Sequence, residues 1–141
     1  MAIFERRIVV RFGECDGLGH VNNGTYFTYM EDARIDVFRL FNPSLDLKTW
    51  NLIVASTRCD FLAQVSYAEE LTVYTWIPTL GNSSFTAHHA IRKADGTWAA
   101  RGQAVLLAYD YTQEKPMPLW PEVRAALAGH SAEPEGAPAL R

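Results

Sequence analysis

Cysteine is scarce in this chain. Only Cys15 and Cys59 occur among 141 residues, without the number or spacing of a disulfide framework, a metal site or a redox motif. Free thiols in a reducing compartment are expected, with the cytoplasm as the default location. Long apolar runs are also missing. No stretch approaches the ~18 residues a membrane helix requires, and Met1 to Arg7 is charged, without the apolar core of a signal peptide. No membrane partner is expected. Basic charge is not in excess either. Thirteen Lys and Arg stand against sixteen Asp and Glu, a net charge of −3, which leaves no electrostatic case for nucleic acid as the main partner. There are no internal repeats and no second domain. What is present is 48% hydrophobic and 21% charged residues, a composition that suits one globular domain with a real core.

The apolar residues change period along the chain. Phe4, Ile8, Val10 and Phe12 share one face, with Glu5, Arg7 and Arg11 on the other; this predicts a strand with one buried side. From Gly24 to Phe41 the period is helical. Tyr26, Met30, Ala33, Val37 and Phe41 recur at steps of four and three, widened by Phe27 and Phe38, and Asn42-Pro43 ends the run. Four strand-like runs follow. Trp50 to Leu62 is apolar on both faces in its first half, which predicts a central strand. Leu71 to Ile77 alternates, Leu80 to Ser83 is a turn, and Phe85, Ala87, His89 and Ile91 form one face of the next strand. Asp95-Gly96 signals a hairpin. Trp98 to Tyr111 is a long strand in which Gly102 marks a bulge or a close approach. Strand, loop, long helix and antiparallel meander make an α+β domain over residues 1–128. Pro121 starts a short helix to Ala128. Residues 129–141 are rich in Gly, Ala, Pro and Glu, and a disordered tail is expected there.

The chemistry concentrates between the first strand and the helix, in Asp16-Gly17-Leu18-Gly19-His20-Val21-Asn22-Asn23-Gly24-Thr25-Tyr26. Asn22 or Asn23 can cap the helix. The free amides of a helix start, with the dipole behind them, stabilise negative charge. A carboxylate beside such an end offers a general base next to an oxyanion site, which acyl transfer needs. The plain structural alternative is a cap after a tight turn.

Asp-x-x-x-His-Val-Asn-Asn-x-x-Tyr, followed by Glu31-x-Ala33-Arg34 on the same helix, resembles the hotdog-fold acyl-CoA thioesterases of the 4-hydroxybenzoyl-CoA thioesterase family. The branch it most resembles includes the bacterial long-chain acyl-CoA thioesterases; the His-Val-Asn-Asn core is also similar to plant acyl-carrier-protein thioesterases. The resemblance spans roughly residues 4 to 122. It implies a curled antiparallel sheet of about five strands wrapped around one long central helix, and hydrolysis of an acyl-CoA or acyl-carrier-protein thioester without metal or other cofactor. It implies the backbone N–H of Asn23 or its neighbour as oxyanion donor, with Asp16 as general base or as nucleophile through an acyl anhydride. His20 would orient Asp16 or a water, and Asn22 would brace the loop. Tyr26 and Glu31 would lie at the substrate, Glu31 because some hotdog thioesterases use a helix carboxylate at this offset. Some relatives carry His or Tyr where Asn23 stands, and plant relatives carry Asn where Leu18 stands, which leaves the Asn23 side chain a capping role. Hotdog domains pair into dimers, often tetramers, with the site at the subunit boundary, so a homodimer or homotetramer is expected. A non-catalytic acyl-CoA-binding protein and a hotdog dehydratase are the alternatives.

Other polar residues have simpler readings. Glu31 and Arg34 are spaced for a helix ion pair. Arg58 and Asp60 share a strand face and are expected to pair. His88 and His89 point to opposite faces, so they cannot share a metal. Arg92 and Lys93 are either a solvated strand end or contacts for coenzyme A phosphates. Cys15 has nothing beside it to lower a thiol pKa.

Overall fold

The computed structural model describes residues 3–141. A five-stranded antiparallel sheet curls around one long helical stretch. The strands are β1 (Phe4–Val9), β2 (Leu52–Phe61), β3 (Glu70–Leu80), β4 (Ser84–Lys93) and β5 (Trp98–Asp110). They lie in the order β1-β3-β4-β5-β2. A two-residue strand, β6 (Lys115–Pro116), pairs with the end of β5. This is the hotdog arrangement, with the helical stretch on the concave face. Among the described residues no helix is long and apolar enough to cross a membrane.

The helical stretch has two segments, α1 (Asn23–Ala33) and α2 (Ile35–Phe41), joined at Arg34. The expected stripe is the buried one: Tyr26, Met30, Ala33, Val37 and Phe41 are each at most 5% exposed. α1 packs with Val73, Ile91 and Ala100, and α2 with Phe85, Ala104 and Leu106. A last helix, α3 (Pro121–Ala128), adds Val123 and Leu127 to the second cluster. Arg6 of β1 pairs with Asp36 of α2 at 2.8 Å, fixing the helix against the sheet edge. Gly102 is a close approach: a Cβ there would collide with Met30 Sδ. A bare backbone at this point lets α1 sit down on β5.

The helix joint has a physical cause. The Arg34 amide donates to both Met30 O and Glu31 O, at 3.1 and 3.0 Å. Its side chain turns inward, where Nη1 meets His89 Nε2 at 3.2 Å and is buried with it. The expected Glu31–Arg34 pair therefore does not form; Glu31 stays exposed. Guanidinium has only donors, so His89 Nε2 accepts, and Nδ1–H donates to Thr75 Oγ1 at 2.9 Å. Burial, and then the Arg34 charge, hold the His89 imidazole neutral, well below its ordinary pKa.

Two further expectations differ from the structure. β2 is an edge strand, not a central one. β5 is flanked by β4 and β2, and the outer edge of β2 has no partner among the described residues. Its apolar first half is uneven, with Leu52 at 3% exposure and Val54 at 41%. Phe12 leaves the strand face because a 3₁₀ turn starts there, and it is 78% exposed. Residues 129–141 have no regular secondary structure, and the far end of this segment lies against the outer face of the sheet. Side chains on that face bind the tail backbone. Arg101 Nε donates to Pro138 O at 2.8 Å, and Asp60 Oδ2 accepts from the Arg141 amide at 2.7 Å.

His88 sits on that outer face. Its Nδ1 accepts from Arg101 Nη2 at 2.7 Å. Burial, and then the Arg101 charge, push its pKa down to about 4 from 6.5. The unfolded chain binds this proton more readily, so the stabilisation is complete above pH 6.5 and is lost as pH falls toward 4. His88→Gln should flatten the fall in melting temperature between these pH values. A slope equal to the parent's would remove His88 as its source.

Candidate active site

The loop from Cys15 to Asn22 is held by backbone pairing. Asp16 N–H donates to His20 O at 2.8 Å, and Gly19 N–H donates to Asp16 O at 3.0 Å. Gly19 has φ +81°, a left-handed conformation that glycine adopts without strain. The Asp16 carboxylate accepts from Leu18 N–H at 2.9 Å, closing an Asx turn. The far side of the loop is anchored by the connection that follows β2. Val21 N–H donates to Val65 O at 2.8 Å, and His20 bridges to Ser66. Asn22 N–H donates to Glu14 O at 2.9 Å. Glu14 in turn accepts from Tyr29 OH at 2.7 Å and from Arg11, which holds its carboxyl below the usual range despite partial burial.

Asn22 is the cap of α1; its side chain accepts from Gly24 N–H at 2.9 Å, and its carbonyl accepts from Thr25 N–H at 2.9 Å. That occupies the second and third amides of the capped turn. The amide of Asn23, the first residue of α1, has no partner among the described residues. A donor of this kind, at the positive end of a helix, is suited to an oxyanion.

A cavity of about 320 Å³ opens at this helix end. Asp16, His20, Asn23 and Tyr26 all line it, with Phe61 and Gln64 on the opposite wall. The carboxylate of Asp16 is exposed and His20 is half-buried. Tyr26 is 3% exposed; its hydroxyl points to Ala63 O at 3.4 Å, and burial raises its pKa to about 12, so it stays a phenol. Four of the six residues singled out in the sequence thus meet in one cavity. Asn22 caps α1 and does not line the cavity. Glu31 is not brought to Asp16. It lines two other cavities, of about 330 and 350 Å³, beside Phe38, Leu47 and Trp50. The wall from Phe61 to Gln64 escaped sequence reasoning. It is reached only through long-range pairing of Val65 and Ser66 to the loop, which leaves no local signal.

A somewhat larger cavity, about 360 Å³, lies elsewhere, on the sheet surface among Arg7, Tyr74, Arg92 and Lys93. Arg92 rests on the Trp98 ring at 4.7 Å and donates to Gly96 O. Lys93 Nζ donates to Gln64 O at 2.9 Å, so it backs the wall of the Asp16 cavity. Glu70 also lines this cavity, but no helix start opens into it, so it lacks the free amide found beside Asp16 and is not the candidate catalytic one. Among the described residues no three His, Cys, Asp or Glu side chains cluster to hold a metal.

The fold and the loop-to-helix site define a hotdog protein of the thioesterase kind, and comparison with known proteins agrees. Residues 10–127 match the model of the Thioesterase-like superfamily, and the chain belongs to that superfamily. Among curated proteins it is similar to the uncharacterized protein YsmA of Bacillus subtilis, 38% identical over 104 residues, covering 74% of this chain and 71% of that one. Among solved structures, a predicted thioesterase from Bacillus stearothermophilus superposes with a TM-score of 0.91 at 33% identity, covering 94% of this chain and 99% of that one. A thioesterase from Thermus thermophilus, solved with coenzyme A and Zn, gives a TM-score of 0.78 at 33% identity over 87% of this chain and 95% of that one.

Proposed function

We propose that the chain is an acyl-CoA thioesterase of the 4-hydroxybenzoyl-CoA thioesterase type, hydrolysing the thioester to free acid and CoA. The observation that carries the reading is the Asp16 carboxylate and the unpartnered Asn23 amide lining one cavity. The thioester carbonyl sits against the start of α1, where Asn23 N–H receives its developing negative charge. Asp16 takes a proton from the attacking water, or attacks the carbonyl itself. His20 orients that carboxylate or water, and the neutral Tyr26 phenol forms the floor. Arg7 and Arg92, which line the larger cavity, would meet the phosphates of the carrier, with Lys93 beside them but paired to Glu69 and Gln64. The Thermus relative solved with coenzyme A supports the carrier assignment. Release of free thiol from a panel of acyl-CoAs tests the reading. Tight binding of acyl-CoA without thiol release would convert it to a binding protein.

The same reading carries a homodimer or larger. The open edge of β2, with Val54 at 41% and Phe61 at 39% exposure, is a template for a second strand. Pairing there would extend the sheet and place the partner beside Phe61, a wall of the Asp16 cavity. Sedimentation should find a dimer or tetramer. A folded, active monomer at micromolar concentration would end this proposal.

A further inference from the structure

The outer face of the sheet is set by Gly102. Because that residue meets Met30 on the helix side, its neighbours Arg101 and Gln103 point outward. Their register partners Asp60, Arg58 and His88 point outward too, as does Trp76 opposite His88. An outer face with a tryptophan and an arginine would ordinarily be wet. Here Trp76 is 1% and Arg101 3% exposed.

The C-terminal segment accounts for this. It leaves α3 at Gly129 and crosses the strands in turn. The His130 ring stacks on Phe4 of β1 at 4.1 Å. The carbonyl of His130 accepts from Ile77 N–H, where the β3–β4 register slips, at 2.8 Å. Glu133 lies 4.0 Å from Arg101, and Pro134 is buried. Pro138 O accepts from Arg101 Nε on β5, and Arg141 is held by Asp60 and Arg58 on β2. Arg101 completes its set through His88 Nδ1 on β4, the carbonyls of His89 and Gly102, and the Trp76 ring at 4.7 Å. On the outer face β3, β4, β5 and β2 are thus tied to the segment, directly or through Arg101, while His130 holds its start against Phe4, which packs on the inner side.

We propose that residues 130–141 are an intramolecular strap that occupies the outer face of the sheet and so keeps it from packing against the sheet of a second copy. Without the strap, Tyr74, Trp76, Ala90 and Trp98 form an apolar strip on the convex face of the sheet, with Arg58 and Asp60 as a charge pair of opposite sign. Sheets stack face to face through such strips, and a pair of opposite charges on one patch is self-complementary about a two-fold axis. The strap fills that place with backbone carbonyls and one amide matched to Arg101, Arg58 and Asp60.

Two measurements on the full chain and two variants decide it. In the full chain, backbone order parameters for residues 131–140 should be near 0.85; values below about 0.6 would mean a free tail and would overturn the strap. A chain ending at Gly129 should keep its circular dichroism and sediment with about twice the parent's mass, as two-fold stacking requires. A folded truncated chain with the parent's mass would show that the strap blocks nothing. Should truncation unfold the protein, a chain ending at Gly136 loses only the far end of the strap, with its Pro138 and Arg141 contacts, and keeps Arg58 and Asp60 on the sheet. That variant should show the heavier species growing with concentration, and its absence would likewise overturn the proposal.

Discussion

Replacing Asp16 with Asn is expected to lower kcat by about 10²–10⁴-fold, the range for loss of a positioned general base, while KM changes much less. The structure makes this substitution a clean test. Asp16 uses one carboxylate oxygen to close its turn, through Leu18 N–H. Asn keeps an oxygen in that place, so the turn, the Gly19 conformation and the cap at Asn22 should all survive. What Asn lacks is a proton acceptor and a carboxylate nucleophile at neutral pH. If Asp16 served only the turn, the Asn variant would lose almost nothing and Asp16→Ala would lose more. If Asp16 does the chemistry, both variants fall together. His20→Ala should cost less than either, because an orienting residue does not carry the proton. A kcat within about threefold of the parent for Asp16→Asn, too small for a missing base, would move the chemistry away from the loop. Glu31 would not inherit it easily, since it lines different cavities from Asp16.

The candidate site is legible in the sequence to the extent that it is local. Asp16, His20, Asn23 and Tyr26 fall within one short stretch, and a capped helix start fixes their relative placement. The helix stripe is legible for the same reason: one period sustained from Gly24 to Phe41 leaves little choice of buried face. Gly102 can be flagged as a close approach but not matched to Met30, which lies far away in sequence. The failures are non-local. The β2 run shows apolar residues on both sides, and composition cannot say that one flank meets β5 and the other is left open. Glu31 and Arg34 have ideal spacing for a helix pair. The sheet offers Arg34 a buried imidazole instead, and the helix breaks its regularity to reach it. The tail reads as too polar to pack; in the structure Pro134 is buried and Ala137, Pro138 and Leu140 are half-buried. Its attachment comes from backbone groups meeting Arg101 and Asp60, which composition does not register.

That buried network is where the largest loss of stability is expected. His89→Leu keeps the volume of the side chain but removes the acceptor for Arg34 Nη1 and the donor to Thr75 Oγ1. Arg34 is 3% exposed and its Nε already lacks a partner among the described residues, so the buried guanidinium would lose its Nη1 acceptor as well, with the Glu31 charge alone left to favour it. Losing the partner of a buried charge costs about 3 kcal/mol, which in a domain of this size lowers the melting temperature by about 6–12 °C. Arg34→Met should cost less, because it leaves a neutral imidazole that still bonds Thr75. The double variant should then be more stable than His89→Leu alone, since an apolar pair replaces an unpaired charge. Calorimetry at about pH 8, above the ordinary histidine pKa, keeps the other imidazoles neutral during the comparison. A loss below about 2 °C for His89→Leu, well under what an orphaned guanidinium costs, would mean that water or backbone reaches Arg34 in solution. A double variant no better than His89→Leu would mean that the loss came from packing rather than from the charge.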